Sequence, residues 1–153
     1  MKKLLSILFV SILLTGCGNN VKEETKVKKK SCRVEDEESS FIIIMDVEGE
    51  KNKVKSVDFI LEMPGAKELF DTDEDVPRED MKELEEELRK SLSDEIVPGT
   101  KAAFKVGNDK SICKSIIKIA DANEESLDYI DYDEDYTFDD YVKILEEQGF
   151  ICK

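Results

Sequence analysis

Residues 41–63 read FIIIMDVEGEKNKVKSVDFILEM, and this stretch decides the fold. In its first half Phe41, Ile43, Met45 and Val47 alternate with residues that include Asp46 and Glu48. Successive side chains of a strand point to opposite faces, so this period of two predicts a half-buried strand over 41–48. In the second half Val57, Phe59, Leu61 and Met63 alternate with Ser56, Asp58 and Glu62, which predicts a strand over 54–63. Gly49, Glu50, Lys51 and Asn52 carry the residue types of a hairpin turn. Pro64 and Gly65 end the second strand.

Outward from this hairpin the chain alternates between short strands and two helices. Upstream, Cys32 and Val34 share one face of a short strand over 31–36. Downstream, residues 71–77 form an acidic connection, and Pro77 suits the first turn of a helix. That helix, over 78–92, carries Met81, Leu84, Leu88 and Leu92 at near-heptad spacing, with Glu83, Glu85, Glu86 and Glu87 as a solvated face. A second hairpin about Gly107, Asn108 and Asp109 joins strands over 101–106 and 111–120. A last helix opens at Thr137, a candidate N-cap with Asp140 three residues on. It presents Phe138, Tyr141, Val142 and Leu145 as its apolar stripe, and Gly149 suits its C-terminal cap. The expected fold class is α+β: an antiparallel sheet of about five strands in the order βββαββα, with two helices packed on one face.

The N-terminal residues carry a chemistry of their own. Lys2 and Lys3 precede an apolar run over 4–14, too short to span a bilayer, which takes about 20 apolar residues. The run has the length and flanks of a secretory signal peptide. It ends in Leu14, Thr15, Gly16 and Cys17, the pattern of a bacterial lipobox in which Cys17 receives a diacylglyceryl thioether before cleavage. The domain organisation expected is therefore a cleaved signal peptide (1–16), a lipidated Cys17 with a flexible tether (17–30) and a single α+β globular domain (31–153). Two acyl chains suit stable anchoring, since one binds membranes only marginally. The tether shows no apolar periodicity and reaches at most about 45 Å when fully extended. Lys26, Lys28, Lys29 and Lys30 are expected to be solvated along it, with anionic headgroups as a second possible contact.

Composition excludes several functions. The chain has 23 basic and 37 acidic residues, a net charge of −14, and no histidine. Such a domain is repelled by nucleic-acid phosphates. Without His, Ser-His and Cys-His nucleophile pairs cannot form. No nucleophile-elbow or Gly-rich motif occurs, so no enzyme activity and no cofactor are expected.

With Cys17 lipidated, Cys32, Cys113 and Cys152 remain for an oxidising compartment. Cys32 opens the domain and Cys152 closes it, so a bond between them would clamp its ends, by about 4–5 kcal/mol in loop-closure entropy. Cys32–Cys113 is the alternative pairing. Cys113, mid-strand on an uncharged face, reads as a buried core thiol. Three scattered cysteines lack the spacing of a zinc site.

Residues 71–75 (DTDED) and 131–135 (DYDED) both carry D-x-D-x-D. A calcium-binding EF-hand loop needs Gly at its sixth position and Glu at its twelfth. Val76 and Lys82 stand there in the first, Tyr136 and Val142 in the second. Both segments read as solvated acidic loops that favour the N-termini of the helices they precede. Tyr129, Tyr132 and Tyr136 suit a wet groove, with core anchoring the simpler reading.

The arrangement is similar to the YehR-like family of small bacterial lipoproteins. The resemblance is carried by Leu14–Cys17, by the early strands from Ser31 with Cys32, and by the charged middle helix. The ending Thr137, Phe138, Leu145, Gly149, Phe150, Ile151, Cys152 and Lys153 completes it. Cys113 and residues 121–136 fall outside it. The family implies a small α+β domain anchored on the extracytoplasmic face of the cell membrane, with no established enzymatic role. The function expected is that of a monomeric, non-catalytic lipoprotein held by the acyl chains on Cys17, binding an envelope or surface partner. The alternative is a small-ligand or cation-binding lipoprotein that uses the acidic loops.

Overall fold

A computed structural model of the chain describes residues 26–35, 40–92 and 96–153. The expected signal peptide, the lipobox and Cys17 lie outside the described residues. The fold is α+β: an antiparallel sheet of six strands with helices on one face. In chain order the elements are β1 (Val27–Glu35), β2 (Ile42–Glu50), β3 (Lys53–Pro64), α1 (Ala66–Leu69), α2 (Arg78–Ser91), β4 (Ala102–Lys105) and β5 (Lys110–Lys118). A 3-10 turn at Ile119–Asp121, then α3 (Glu124–Tyr129), α4 (Phe138–Glu147) and β6 (Ile151–Cys152), completes the chain. Across the sheet the strands run β4-β5-β3-β2-β1-β6.

The central hairpin forms where the alternation places it. Met45 faces Phe59 and Val47 faces Val57 across the β2–β3 ladder. Its turn is tighter than the four residues expected. Lys51 and Asn52 alone bridge the strands, both with positive φ (52° and 59°), as a type I′ hairpin turn requires. Gly49 belongs to β2 and is fixed by packing, because a Cβ there would run into the Phe138 ring.

Four features depart from the expectation. First, β1 starts at Val27, not at residue 31, so Lys28, Lys29 and Lys30 belong to the sheet rather than to a spacer. Partners distant in sequence hold them there. The Lys28 ammonium contacts the Asp139 carboxylate at 2.7 Å and Asn52 Oδ1 at 2.9 Å, and sits 5.5 Å from the centre of the Phe138 ring. Lys29 pairs with Glu48 at 2.8 Å, a hydrogen bond that raises its pKa. Second, a sixth strand, β6, adds to β1 with Cys32 opposite Cys152. Third, α1 adds a turn directly after β3. Its N-terminal amides, those of Ala66 and Lys67, donate to the Gly107 and Asn108 carbonyls. A Cβ at Gly65 would collide with the backbone of Asn108, Asp109 and Lys110, so the second hairpin turn and α1 pack in direct contact. Fourth, α3 forms within residues 121–136, capped by the Asn123 side chain accepting from the Ser126 amide.

The main core lies between α4 and the sheet. Cys32, Met45, Val47, Val57, Phe59 and Ile117 from the strands meet Phe138, Tyr141, Val142 and Leu145 from α4, with Ile130 and Tyr132 from the segment between α3 and α4. The Tyr141 hydroxyl, fully buried, donates to the Ile130 carbonyl at 2.7 Å. Both ends of α4 are closed. Thr137 and Asp140 form a reciprocal capping box. At the other end the Gly149 amide bonds to Glu146 and the Phe150 amide to Leu145, with Gly149 at φ 95°, a Schellman closure.

Candidate functional site

The sheet face that carries α4 continues past it toward the other end of the strands. There β1 ends at Glu35, β2 begins at Ile42 and β3 ends at Pro64. At this distal end the inward side chains are Val34, Phe41, Ile43, Leu61 and Met63, the same alternating set that predicts the strands. α2 lies on this face too, beside the short edge strand β4. None of its residues is buried; Met81, Leu84 and Leu88 are half-buried and Leu92 is exposed. Its stripe offers about one apolar residue per turn, too narrow to cover the whole distal sheet.

The remainder, which the described residues leave uncovered, is a groove, a hollow of about 690 Å³. Val34, Phe41, Ile43, Leu61 and Met63 form its floor, and Leu69, Leu88 and Leu92 its wall, with Glu35 and Ser91 at the rim. Phe41 is 43% exposed and Leu69 50% exposed, unusual for large apolar groups of a small domain and a mark of a binding surface when contiguous. The volume lies within the range of about 300–1,000 Å³ usual for ligand sites. Leu69 also lines an adjoining hollow of about 330 Å³ with Phe70, Leu84, Asp80, Glu83 and Glu87. The two hollows share Leu69, and the second carries the carboxylates of Asp80, Glu83 and Glu87.

The position of this groove follows from the strand directions. The chain enters the sheet at Val27, the opposite end of β1 from Val34 and Glu35. At about 3.3 Å per residue the groove lies about 25 Å from that point of entry. Val27, where the described chain enters the sheet, is thus at the end of β1 away from the groove.

The other sequence-derived candidates fall elsewhere. Cys32 and Cys152 are joined by a disulfide spanning 120 residues, beneath α4 and apart from the groove. Cys113 is a free, buried thiol, and desolvation pushes its pKa up to about 11, so it stays protonated at neutral pH. Ser111 and Ser115, beside it on β5, are buried with hydroxyls that find no partner among the described residues. The acidic segments do not converge. In the first, Asp75 pairs with Lys67 at 2.8 Å, a hydrogen bond that raises the lysine's pKa. In the second, Asp131 takes the Gln148 amide, and Asp133 accepts from the Asp135 backbone at 2.9 Å. Among the described residues no three acidic or cysteine side chains are grouped as metal ligands. Tyr132 packs edge-on against Tyr141 and Tyr136, and Tyr129 edge-on against Phe59, so the tyrosines brace the α4 core.

The alternation places Phe41 and Ile43 on one strand face and Leu61 and Met63 on another, and nothing in that pattern marks the groove. The available signal was the pair Leu69-Phe70, apolar and adjacent at the head of an acidic connection. No buried position accounts for either side chain.

No family model matches the chain, and no curated protein matches it in sequence. Its fold is similar to the NMR structure of the E. coli YehR protein, with a TM-score of 0.54 over 84% of this chain and 92% of that one. The two sequences are 14% identical, so the likeness is one of fold.

Proposed function

We propose that this chain is a lipid-anchored, extracytoplasmic bacterial lipoprotein of the YehR-like family, a non-catalytic module whose distal groove receives an envelope or surface partner. The observation that carries the reading is the exposed apolar groove at the end of the sheet opposite Val27. Three others support it: the lipobox sequence ending in Cys17, the lack of any histidine, and the fold likeness to YehR. Anchored through Cys17, the domain would turn its groove away from the bilayer that holds it.

Two measurements test the two parts. Palmitate labelling of the expressed chain is expected to mark the wild type and to be lost in Cys17→Ser; an unlabelled wild type contradicts the anchor. A photo-crosslinking residue placed at Leu92 is expected to capture a discrete envelope partner, whereas the same residue at Lys143, on the outer side of α4, is not. Equal capture at both positions contradicts the groove as the working surface.

A further inference from the structure

We infer that the groove takes a cationic amphipathic segment of a partner protein, its apolar side chains seated on the distal sheet and its Lys or Arg side chains against one flank of α2. This rests on the reading of the groove as the working surface and adds the chemistry of the occupant. The floor, from Val34 to Met63, offers no polar side chain to orient a small ligand. What the surroundings offer is charge. At 3.6 residues per turn, Asp80, Glu83 and Glu87 fall on the flank of α2 beside Leu84 and Ser91, which line the two hollows. Lys82 and Arg89 stand on the opposite flank, and Arg89 is engaged by Glu85 at 3.4 Å. Lys90 is at the outer margin of the acidic row.

None of Asp80, Glu83 and Glu87 is ion-paired among the described residues. A row of like charges on one helix flank disfavours the helix, and a cation brought alongside relieves it. Other occupants meet the wrong charge. A fatty acid would set its carboxylate among these acids. An anionic bilayer is repelled by a chain of net charge −14, and the groove opens away from the point of entry at Val27. An amphipathic helix laid in an apolar groove, with basic residues along one edge, satisfies both the floor and the flank.

The test uses the full chain in phosphatidylcholine nanodiscs, with empty nanodiscs as the blank. Three fluorescent probes are titrated and followed by anisotropy. One is a Leu/Lys peptide with leucines at i, i+3, i+4 and i+7; the second is a Leu/Glu peptide of the same apolar pattern; the third is a labelled fatty acid. The Leu/Lys peptide is expected to bind best, more weakly as salt rises. Its affinity is expected to fall about tenfold in the double variant E83K/E87K, whose solvated positions keep the fold intact, with an unfolding midpoint no lower than that of the wild type. Leu88→Ser is expected to weaken it as well. If the Leu/Glu peptide or the fatty acid binds as tightly, with sensitivity to Leu88→Ser, the groove stands as a binding surface and the cationic occupant is overturned. Equal affinity of the Leu/Lys peptide for wild type and E83K/E87K overturns it too. If no probe responds to Leu88→Ser, the groove reading falls with it.

Discussion

Helices α4 and α2 lie on the same face of one sheet, and the ten residues of α4 bury Phe138, Tyr141, Val142 and Leu145 while the fourteen of α2 bury none. The difference is written in composition. α4 puts an aromatic or branched apolar residue at each inward position and leaves its charges outside. α2 keeps one apolar residue per turn and surrounds it with Glu79, Asp80, Glu83, Glu85, Glu86 and Glu87. Beneath α4 the sheet answers with Val47, Val57, Phe59 and Ile117. Further along β5 the inward residues shrink to Ser115, Cys113 and Ser111, so the second core cluster holds only Met63, Phe104 and Cys113 with partly buried neighbours. One half of the face holds the main core, and the other half has apolar surface that the described residues leave uncovered.

The largest break of this contrast comes from the disulfide on the α4 side. Replacing Cys32 and Cys152 together by Ala is expected to lower stability by about 4 kcal/mol, since the bond closes a loop of 120 residues. Urea unfolding at neutral pH measures it; a loss under about 1 kcal/mol would mean that the ends are held without the bond.

Side-chain truncation then compares the two helices directly. Leu145 is fully buried, and Leu145→Ala is expected to cost about 2–5 kcal/mol. Leu88, half-buried at the groove wall, is expected to cost less than about 1.5 kcal/mol on the same change, because much of its surface is already in water. Equal losses in urea unfolding would show α2 to be as much a part of the core as α4.

The caps give a smaller contrast. Thr137→Ala removes the α4 capping box and is expected to cost about 1 kcal/mol, while α2 begins at Pro77 with no side-chain cap to lose. The Thr137 side chain and then its backbone amide, both bonded to the Asp140 carboxylate, hold that carboxyl's pKa below its ordinary value of 3.8. A depressed folded-state pKa gives stability that is present above 3.8 and lost as pH falls through the folded value. Thr137→Ala is therefore expected to lose part of its effect below that range. An effect independent of pH down to acid unfolding would separate the cap from Asp140.

The same contrast explains what was legible in the sequence. The period of two over 41–63 placed β2 and β3, and the apolar stripes placed α2 and α4, because each is a local pattern with one apolar face, buried in α4 and only half-buried in α2. β6 was missed because Ile151 and Cys152 are too few to show a period. The start of β1 was missed because Lys28 and Lys29 read as solvated tether. Their partners Asp139, Asn52 and Glu48 are brought near only by folding. The groove was not legible for a related reason. Phe41, Ile43, Leu61 and Met63 carry the same alternation, yet Met63 is buried, Ile43 and Leu61 are partly buried and Phe41 is exposed, a gradation set by where α2 lies and not by the strand pattern. The lipobox proposed at Leu14–Cys17 is a local pattern too, read from four adjacent residues without reference to packing.

Native-state hydrogen exchange, resolved by residue, tests the two-halves account most directly. Amides of α4 from Tyr141 to Leu145 are expected to exchange only through global unfolding, and those of α2 from Leu84 to Leu88 through local opening at a lower free energy, as few buried contacts dictate. Exchange of both helices at one shared free energy would contradict it.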